Sequence, residues 1–308
     1  MNKLVRLISG ILLVFILVQC EEIIPKPPPG SGGNNGNGGD PTGLVPVEGE
    51  YANCLNVLAD TTLDVVTWNI EQFSESNTVI SRLQGMIETM NADIIGLQEI
   101  SSISDLNNMV NDIDGWEAAI IEQGGLSTGY LYKSSEVSLE GSLSLIYEGD
   151  NYAFPRAPII GNFRHVSGLS VTIINLHLKC CGSNNDELRR RDASEKLKTY
   201  IDNNQANDRV IVLGDYNDEI QDLPAVNVFQ NFINDEQNYL FTDMETALGS
   251  SADFSYPSWP SHLDHILITN ELFDDWEYTR TIKFDDCYSS YEVNISDHRP
   301  VLARFNTN

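Results

Sequence analysis

The sequence predicts one α/β domain, two β-sheets covered by helices, over residues 51–308. Three observations predict it. Short apolar, β-branched runs of strand length recur at 63–69, 93–99, 171–177 and 210–215. A stretch with helical spacing lies inside each pair of runs: Val79, Ile80, Leu83, Ile87 and Met90 in the first, and Leu188, Ala193, Leu197, Tyr200 and Ile201 in the second. No linker-like break interrupts the alternation, and with 41 % apolar residues a chain of this length can bury a sizeable core.

The start of the chain stands outside that domain. Lys3 and Arg6 precede a nearly unbroken apolar run from Leu7 to Val18. The run is too short to span a bilayer as a helix, which takes roughly 20 apolar residues, and fits a signal peptide over residues 1–19. Leu17-Val18-Gln19-Cys20 resembles a bacterial lipobox, with Gln19 where a small residue is usual, and the match implies lipidation of Cys20. Glu21 and Glu22 follow directly, an acidic pair of the kind that sends lipoproteins to the cell surface. The expected address is extracytoplasmic, anchored to a bacterial outer membrane, with a cleaved secretory or periplasmic protein as the alternative. Residues 21–50 hold six of the 12 prolines and eight of the 22 glycines, so 20–50 reads as a tether too poor in apolar surface to order itself.

Within the domain, 126–132 and 159–166 look like further strands joined by β-rich segments without helices. Cys54, Cys180, Cys181 and Cys287 are four in number, and adjacent cysteines rarely bond to each other. Cys180 and Cys181 are therefore each expected to take one of Cys54 and Cys287. A formal charge of −27, from 18 basic and 45 acidic residues, argues against a protein that grips duplex DNA through a broad basic surface. It leaves open a phosphate-processing enzyme with a metal and a local basic patch. Six of the basic residues do cluster, as Lys179, Arg189, Arg190, Arg191, Lys196 and Lys198. They either rim a phosphate site or pair with local acids on a solvated helix face.

The strong apolar runs end on polar residues that a core strand does not need: Asn69, Gln98-Glu99, His177, and Asp215 with Asn217. Ligand sites in α/β folds lie beyond the carboxyl ends of strands, so these side chains can gather at one edge.

Five blocks carry a resemblance: Val66-Thr67-Trp68-Asn69-Ile70-Glu71, Ile95-Gly96-Leu97-Gln98-Glu99, Ile174-Asn175-Leu176-His177, Leu213-Gly214-Asp215-Tyr216-Asn217 and Ser296-Asp297-His298-Arg299-Pro300-Val301. In this order and spacing the chain resembles the endonuclease/exonuclease/phosphatase superfamily over about residues 62–306. The resemblance implies the deoxyribonuclease I-like fold, a four-layer α/β sandwich of two mixed β-sheets packed face to face with helices outside. It implies a metal site of Glu99, Asn69 and Asp297 for Mg²⁺ or Mn²⁺, hard cations suited to oxygen ligands. Glu71 is either a second metal-site acid or a solvated loop acid. His298 becomes the base that activates water, with Asp264 orienting it. His177, Asp215 and Asn217 complete the catalytic group, and Arg156 is either a phosphate contact or an ion-pair partner of a nearby acid. His165 is expected at the surface and His265 facing away from Asp264, while His262 keeps a chance of touching substrate.

The implied activity is a metal-dependent phosphoesterase, most simply a nuclease acting on nucleic acid as a monomer. A phosphodiesterase or phosphatase for lipid or small-molecule phosphates is the alternative, and Ser101, where deoxyribonuclease I carries a DNA-contacting arginine, speaks for it. A binding module with a dead site is the reading from another class.

Overall fold

In the computed structural model the described residues are 44–45, 51–55, 58–59, 61–73 and 77–307. The chain divides into a unit Met1–Gly39 and a unit Asp40–Asn308, and only the second contains described residues. The signal segment 1–19, Cys20 and most of the 20–50 tether lie outside them. Inside the tether stretch, β1 (Leu44–Val45) pairs with β2 (Leu58–Ala59).

The first sheet begins with β3 (Thr62–Phe73), followed by α1 (Asn77–Met90) and β4 (Ile94–Ile100). β3 and β4 run parallel, which a short hairpin cannot achieve, and α1 is the crossover that the helical spacing predicted. After α2 (Ile103–Asn111) come β5 (Trp116–Ile121) and β6 (Ser127–Lys133). The chain then builds a second sheet from β7 (Val137–Leu145), β8 (Ile159–His165), β9 (Ser170–His177), α3 (Asn184–Asn204), β10 (Val210–Asp215), β11 (Tyr239–Phe241) and β12 (Asp264–Thr269). Here α3 is the crossover between parallel β9 and β10. Finally β13 (Trp276–Thr281) and β14 (Val301–Asn306) return to the first sheet, with β14 alongside β3. Each sheet has six strands, ordered β13-β14-β3-β4-β6-β5 and β11-β12-β10-β9-β8-β7. The result is the four-layer sandwich, two mixed sheets face to face with helices outside. Among the described residues no helix is long and apolar enough to cross a membrane.

Strands buried on both faces need apolar residues at every position, which is why the central runs lack alternation. Along β3, Leu63 and Val65 point into the core between the sheets, while Val66, Trp68 and Ile70 point outward to Leu83, Met86, Ile87 and Met90 of α1. On the opposite outer face Ala193, Leu197 and Ile201 of α3 cover Ile174, Leu176 and Val212. Each such side chain contributes about 1.5–3 kcal/mol by leaving water. Ser183 starts α3 with a capping box, its side chain accepting from Asp186 N while the Asp186 carboxylate accepts from Ser183 N. Leu188, grouped with the buried face by spacing, is instead exposed.

Two expectations are corrected. The disulfide joins Cys54 to Cys287, whose Cα atoms stand 5.9 Å apart, and leaves Cys180 and Cys181 free and exposed. Cys54 ends the short turn Ala52–Cys54 and Cys287 follows the turn Phe284–Asp286, both packed by Tyr51 and Phe284 against the outer face of the β3 sheet. The adjacent pair sits after β9 in the other sheet, and bonding distance rather than arithmetic decides. His165 is buried, because β8 hides its odd positions 159, 161, 163 and 165. Its Nδ1 lies 2.9 Å from Ser167 Oγ.

Candidate active site

Strand register gathers the site. Asp215, the last residue of β10, stands opposite His177 of β9 on one side and Asp264 of β12 on the other. Three chemistry-bearing residues thus form a row across neighbouring strands. Gly214 makes the row possible: a Cβ there would lie 2.0 Å from Leu176 O, so only glycine lets β10 approach β9 this closely. Asn69, from the end of β3 in the other sheet, donates through Nδ2 to Asp215 Oδ2 at 3.0 Å. The site therefore lies on the seam between the sheets.

His298 arrives from the loop before β14. Its Nδ1 is 2.7 Å from Asp264 Oδ2, which fixes the ring and leaves Nε2 facing the row, 3.9 Å from both Asp215 Oδ2 and Asp297 Oδ1. The loop is held from behind. Ser296 Oγ donates to Asn69 O at 2.6 Å and accepts from His298 N at 3.0 Å, while Tyr291 OH donates to His298 O and accepts from Trp68 Nε1. Burial disfavours charge on His298, but the Asp264 and Asp215 carboxylates, with Asp297, outweigh it and raise its pKa to about 10. Asp215 is itself raised, because burial penalises its carboxylate more than His298 and His177 stabilise it.

His177 behaves oppositely. Burial drives its pKa down to about 4 despite Asp215, helped by the positive charges of Arg156 and His298, so it is neutral at physiological pH. Its Nε2 lies 3.4 Å from Asp215 Oδ2 and 3.8 Å from Glu99 Oε1. Asn217 N donates to Asp215 Oδ1 at 2.9 Å, and Asn217 Nδ2 donates to Leu178 O at 3.3 Å. Arg156 Nε donates to Leu126 O at 3.0 Å, and among the described residues the guanidinium makes no ion pair with an acid. Its positive charge helps lower the His177 pKa.

The carboxylates assigned to the metal flank this row, Glu99 at the His177 end and Asp297 at the His298 end. Glu71 links them. Its Oε2 accepts from Asp297 N and its own N donates to Asn69 Oδ1, both at 3.0 Å. Burial and the like charges of Asp297 and Glu99 raise the Glu71 carboxyl. Crowded oxygen donors of like charge fit a divalent hard cation, which would relieve that repulsion. Among the described residues, the tight three-residue groupings of possible ligand atoms are Asp215 with Asp264 and His298, and Asp243 with His262 and His265. Glu71, Gln72, Glu99 and Asn217 all adopt positive φ, at 40°, 51°, 61° and 54°. Register shifts at Asn69/Phe73 and Leu97/Ile100 release Glu71 and Glu99 from the ladder, so strain concentrates where the carboxylates turn into the site.

The other histidines lie behind the site. His262 is fully buried, accepting from Ser255 N at 3.1 Å with Nε2 3.1 Å from Asp243 Oδ2, which ends any substrate-contact role. His265 faces away from Asp264 as expected. Its Nδ1 lies 2.5 Å from Asp243 Oδ2, and its Nε2 lies 3.0 Å from Asp218 O. The basic cluster on and before α3 is largely consumed. Arg190 pairs with Asp218, Lys196 with Asp150 and Asp192, and Lys198 with Asp202 and Asp235, while Arg189 and Arg191 hold backbone carbonyls. Sequence reasoning assigned no role to Tyr256, whose ring centroid is 4.9 Å from that of His298, nor to Ser296 and Tyr291. Ser296 lies two residues before His298, a same-side spacing that could have marked it.

Residues 66–298 match the model of the Endonuclease/Exonuclease/phosphatase family. No curated protein sequence is significantly similar. Solved structures share the fold at low identity. Zebrafish (D. rerio) TDP2 complexed with single-strand DNA product is 16 % identical at a TM-score of 0.63, over 80 % of this chain and 100 % of that one. An endonuclease/exonuclease/phosphatase from Bacteroides vulgatus is 16 % identical at 0.61, over 80 % and 99 %. A mannosyl-6-phosphatase from Bacteroides thetaiotaomicron is 17 % identical at 0.56, over 79 % and 99 %.

Proposed function

Because the chain belongs to the Endonuclease/Exonuclease/phosphatase family and is with it a hydrolase of phosphate esters, we propose that it cleaves phosphodiester bonds of nucleic acid with a histidine-activated water. The carrying observation is the Asp264–His298 pair at 2.7 Å, its free Nε2 turned toward the row of Asp215 and His177. His298 Nε2 takes the proton of the attacking water, and Asp264 holds the Nδ1–H tautomer that this requires. Asp215, fixed by Asn69 and Asn217 N, positions the water. Neutral His177 donates a hydrogen bond to a phosphoryl or leaving oxygen, with Asn217 and Arg156 completing the cradle. Glu99, Asn69 and Asp297 would hold Mg²⁺ or Mn²⁺, with Glu71 supporting them. Bound there, the cation would supply fixed positive charge for the phosphoryl oxygens and would offset the carboxylates that otherwise keep His298 protonated.

Nucleic acid is favoured by the turn beside His298. Tyr256 and Ser261 close it as an isolated bridge, and it presents Trp259 with 77 % of its surface exposed, a stacking platform for an unpaired base. The paired cations of α3 argue for single strands or short pieces over duplex. The same pairing, with a net charge of −27, favours a second reading, a phosphodiesterase or phosphatase for lipid or small-molecule phosphates. On the N-terminal sequence we place the enzyme outside the cytoplasm as a monomer, anchored to the outer membrane through lipidated Cys20.

The test is turnover by the purified chain with Mg²⁺, Mn²⁺ or EDTA, on plasmid DNA, single-stranded DNA and RNA, and phosphodiester and phosphomonoester chromogens. Metal-dependent cleavage of the polymers, lost in His298→Ala, supports the nuclease. Cleavage of the small esters alone overturns it in favour of the second reading.

A further inference from the structure

Cys180 and Cys181 take no part in the chemistry above, yet their surroundings are specific. Both are exposed and their Sγ atoms lie 2.9 Å apart. Cys181 has φ +81°, a left-handed conformation that costs a non-glycine residue free energy unless its neighbours impose it. The imposing group is Arg190, only 2 % exposed, whose Nη1 donates to Lys179 O and Cys181 O, each at 2.7 Å, while Nε holds Asp218. Clamping the carbonyls on both sides of Cys180 turns the two thiols toward solvent side by side. Lys179 Nζ lies 3.4 Å from Cys180 Sγ and 3.3 Å from Asp186 Oδ1, which holds the ammonium against the thiol pair.

We propose that Cys180 and Cys181 form a redox modification site, a vicinal dithiol that closes to a disulfide by exchange with a low-molecular-weight disulfide. Cys180 thiolate attacks one sulfur of the small disulfide, whose S–S bond breaks and releases one small thiolate. Cys181 then gives its proton to solvent and attacks Cys180 Sγ, and the second small thiolate leaves. Two protein thiols lose two electrons, and one small disulfide becomes two thiols. Closure to the ~2.0 Å covalent length needs the sulfurs to move together by about 1 Å. The closed ring bears on Asn217, because Leu178 O, two residues before Cys180, accepts from Asn217 Nδ2, and Asp218, next to Asn217, accepts from Arg190.

The experiment reduces the chain, removes the reductant, incubates the chain with oxidised glutathione, quenches with iodoacetamide and reads peptide masses. The expected peptide spanning 180–181 is lighter by two hydrogens and takes up no alkyl group, while Cys180→Ser and Cys181→Ser each retain one glutathione as a mixed disulfide. Two alkylated cysteines in the wild type, or a disulfide between two chains, overturn the proposal. A second readout, resting on the phosphoesterase reading, is turnover of a phosphodiester chromogen. A several-fold fall on oxidation, reversed by dithiothreitol and absent in the C180S/C181S double variant, is expected, and unchanged turnover in the oxidised protein overturns the link to Asn217. The masses do not depend on activity, so a wrong substrate leaves the first result standing.

Discussion

His298 and His177 carry opposite perturbations within one seam, and both make measurable predictions. His298→Ala should lower metal-dependent turnover by about 10²–10⁴-fold, the usual worth of a general base. Asp264→Asn should cost less, about 10²-fold, because the ring stays in place but loses its charged partner; both variants should keep the wild-type circular dichroism. In the metal-free protein the His298 imidazole should stay protonated to about pH 10 by NMR, and Mg²⁺ should bring its titration down. The linkage signs differ. With its folded pKa raised, His298 stabilises the metal-free fold fully below its unfolded pKa of roughly 6.5, a contribution lost as pH rises toward 10. His177, depressed to about 4, must stay neutral while buried, so stability falls as pH drops from roughly 6.5 toward 4. Urea midpoints measured without metal should therefore decline on both sides of neutrality.

At the scale of strands and helices, two features separate what the sequence disclosed from what it did not. The central strands and both crossover helices were legible because burial on two faces demands an unbroken apolar run and burial of a helix demands a stripe. The bulges that free Glu71 and Glu99 left no apolar signature, since a register shift adds residues without changing their type. Nor did the bridge beneath the site, where Gln98 Nε2 donates to Asn175 Oδ1 at 2.8 Å and Asn175 Nδ2 donates to Leu97 O and Gly129 O. Those two amides tie β9 of one sheet to β4 and β6 of the other. Asn175→Leu should cost about 1–3 kcal/mol by urea unfolding, because Gln98 Nε2 loses an acceptor and Leu97 O and Gly129 O each lose a donor in the core. Gly214→Ala should cost about 2 kcal/mol or more and lower turnover, since its Cβ must push Leu176 O, and with it the strand carrying His177, away from Asp215. Asn69, Glu99, His177, Asp215 and Asn217 were legible as polar ends on apolar runs, whereas His298, Asp264, Asp297 and Arg156 were legible only through the motifs of the family resemblance. The site's support was not legible, because Tyr256 and Ser296 sit in loops and Tyr291 opens a single helical turn, Tyr291–Asn294, whose paths no periodicity records.

For the molecule as a whole, charge and topology set the expectations. With 45 acids against 18 bases, the surface repels a polyanion, so salt should screen that repulsion. The KM for single-stranded DNA should fall as monovalent salt rises from low to physiological strength, opposite to a protein that binds by counterion release. The Cys54–Cys287 link closes a loop of sequence separation 233, and chain entropy alone assigns it about 5 kcal/mol, so reduction should lower the unfolding midpoint clearly. Topology has a temporal side too. The second sheet is one continuous stretch of chain, β7 to β12, whereas the first waits for β13 and β14 to arrive after it. On the ribosome β3 therefore keeps one edge unpaired until almost all of the described chain has emerged, and an unpaired edge is open to wrong partners. The residue assigned as base rides immediately ahead of β14. A nascent or prematurely released chain lacking that last strand still carries His298 but has no strand to seat it against the row, so a partly made hydrolase stays idle until its final residues arrive.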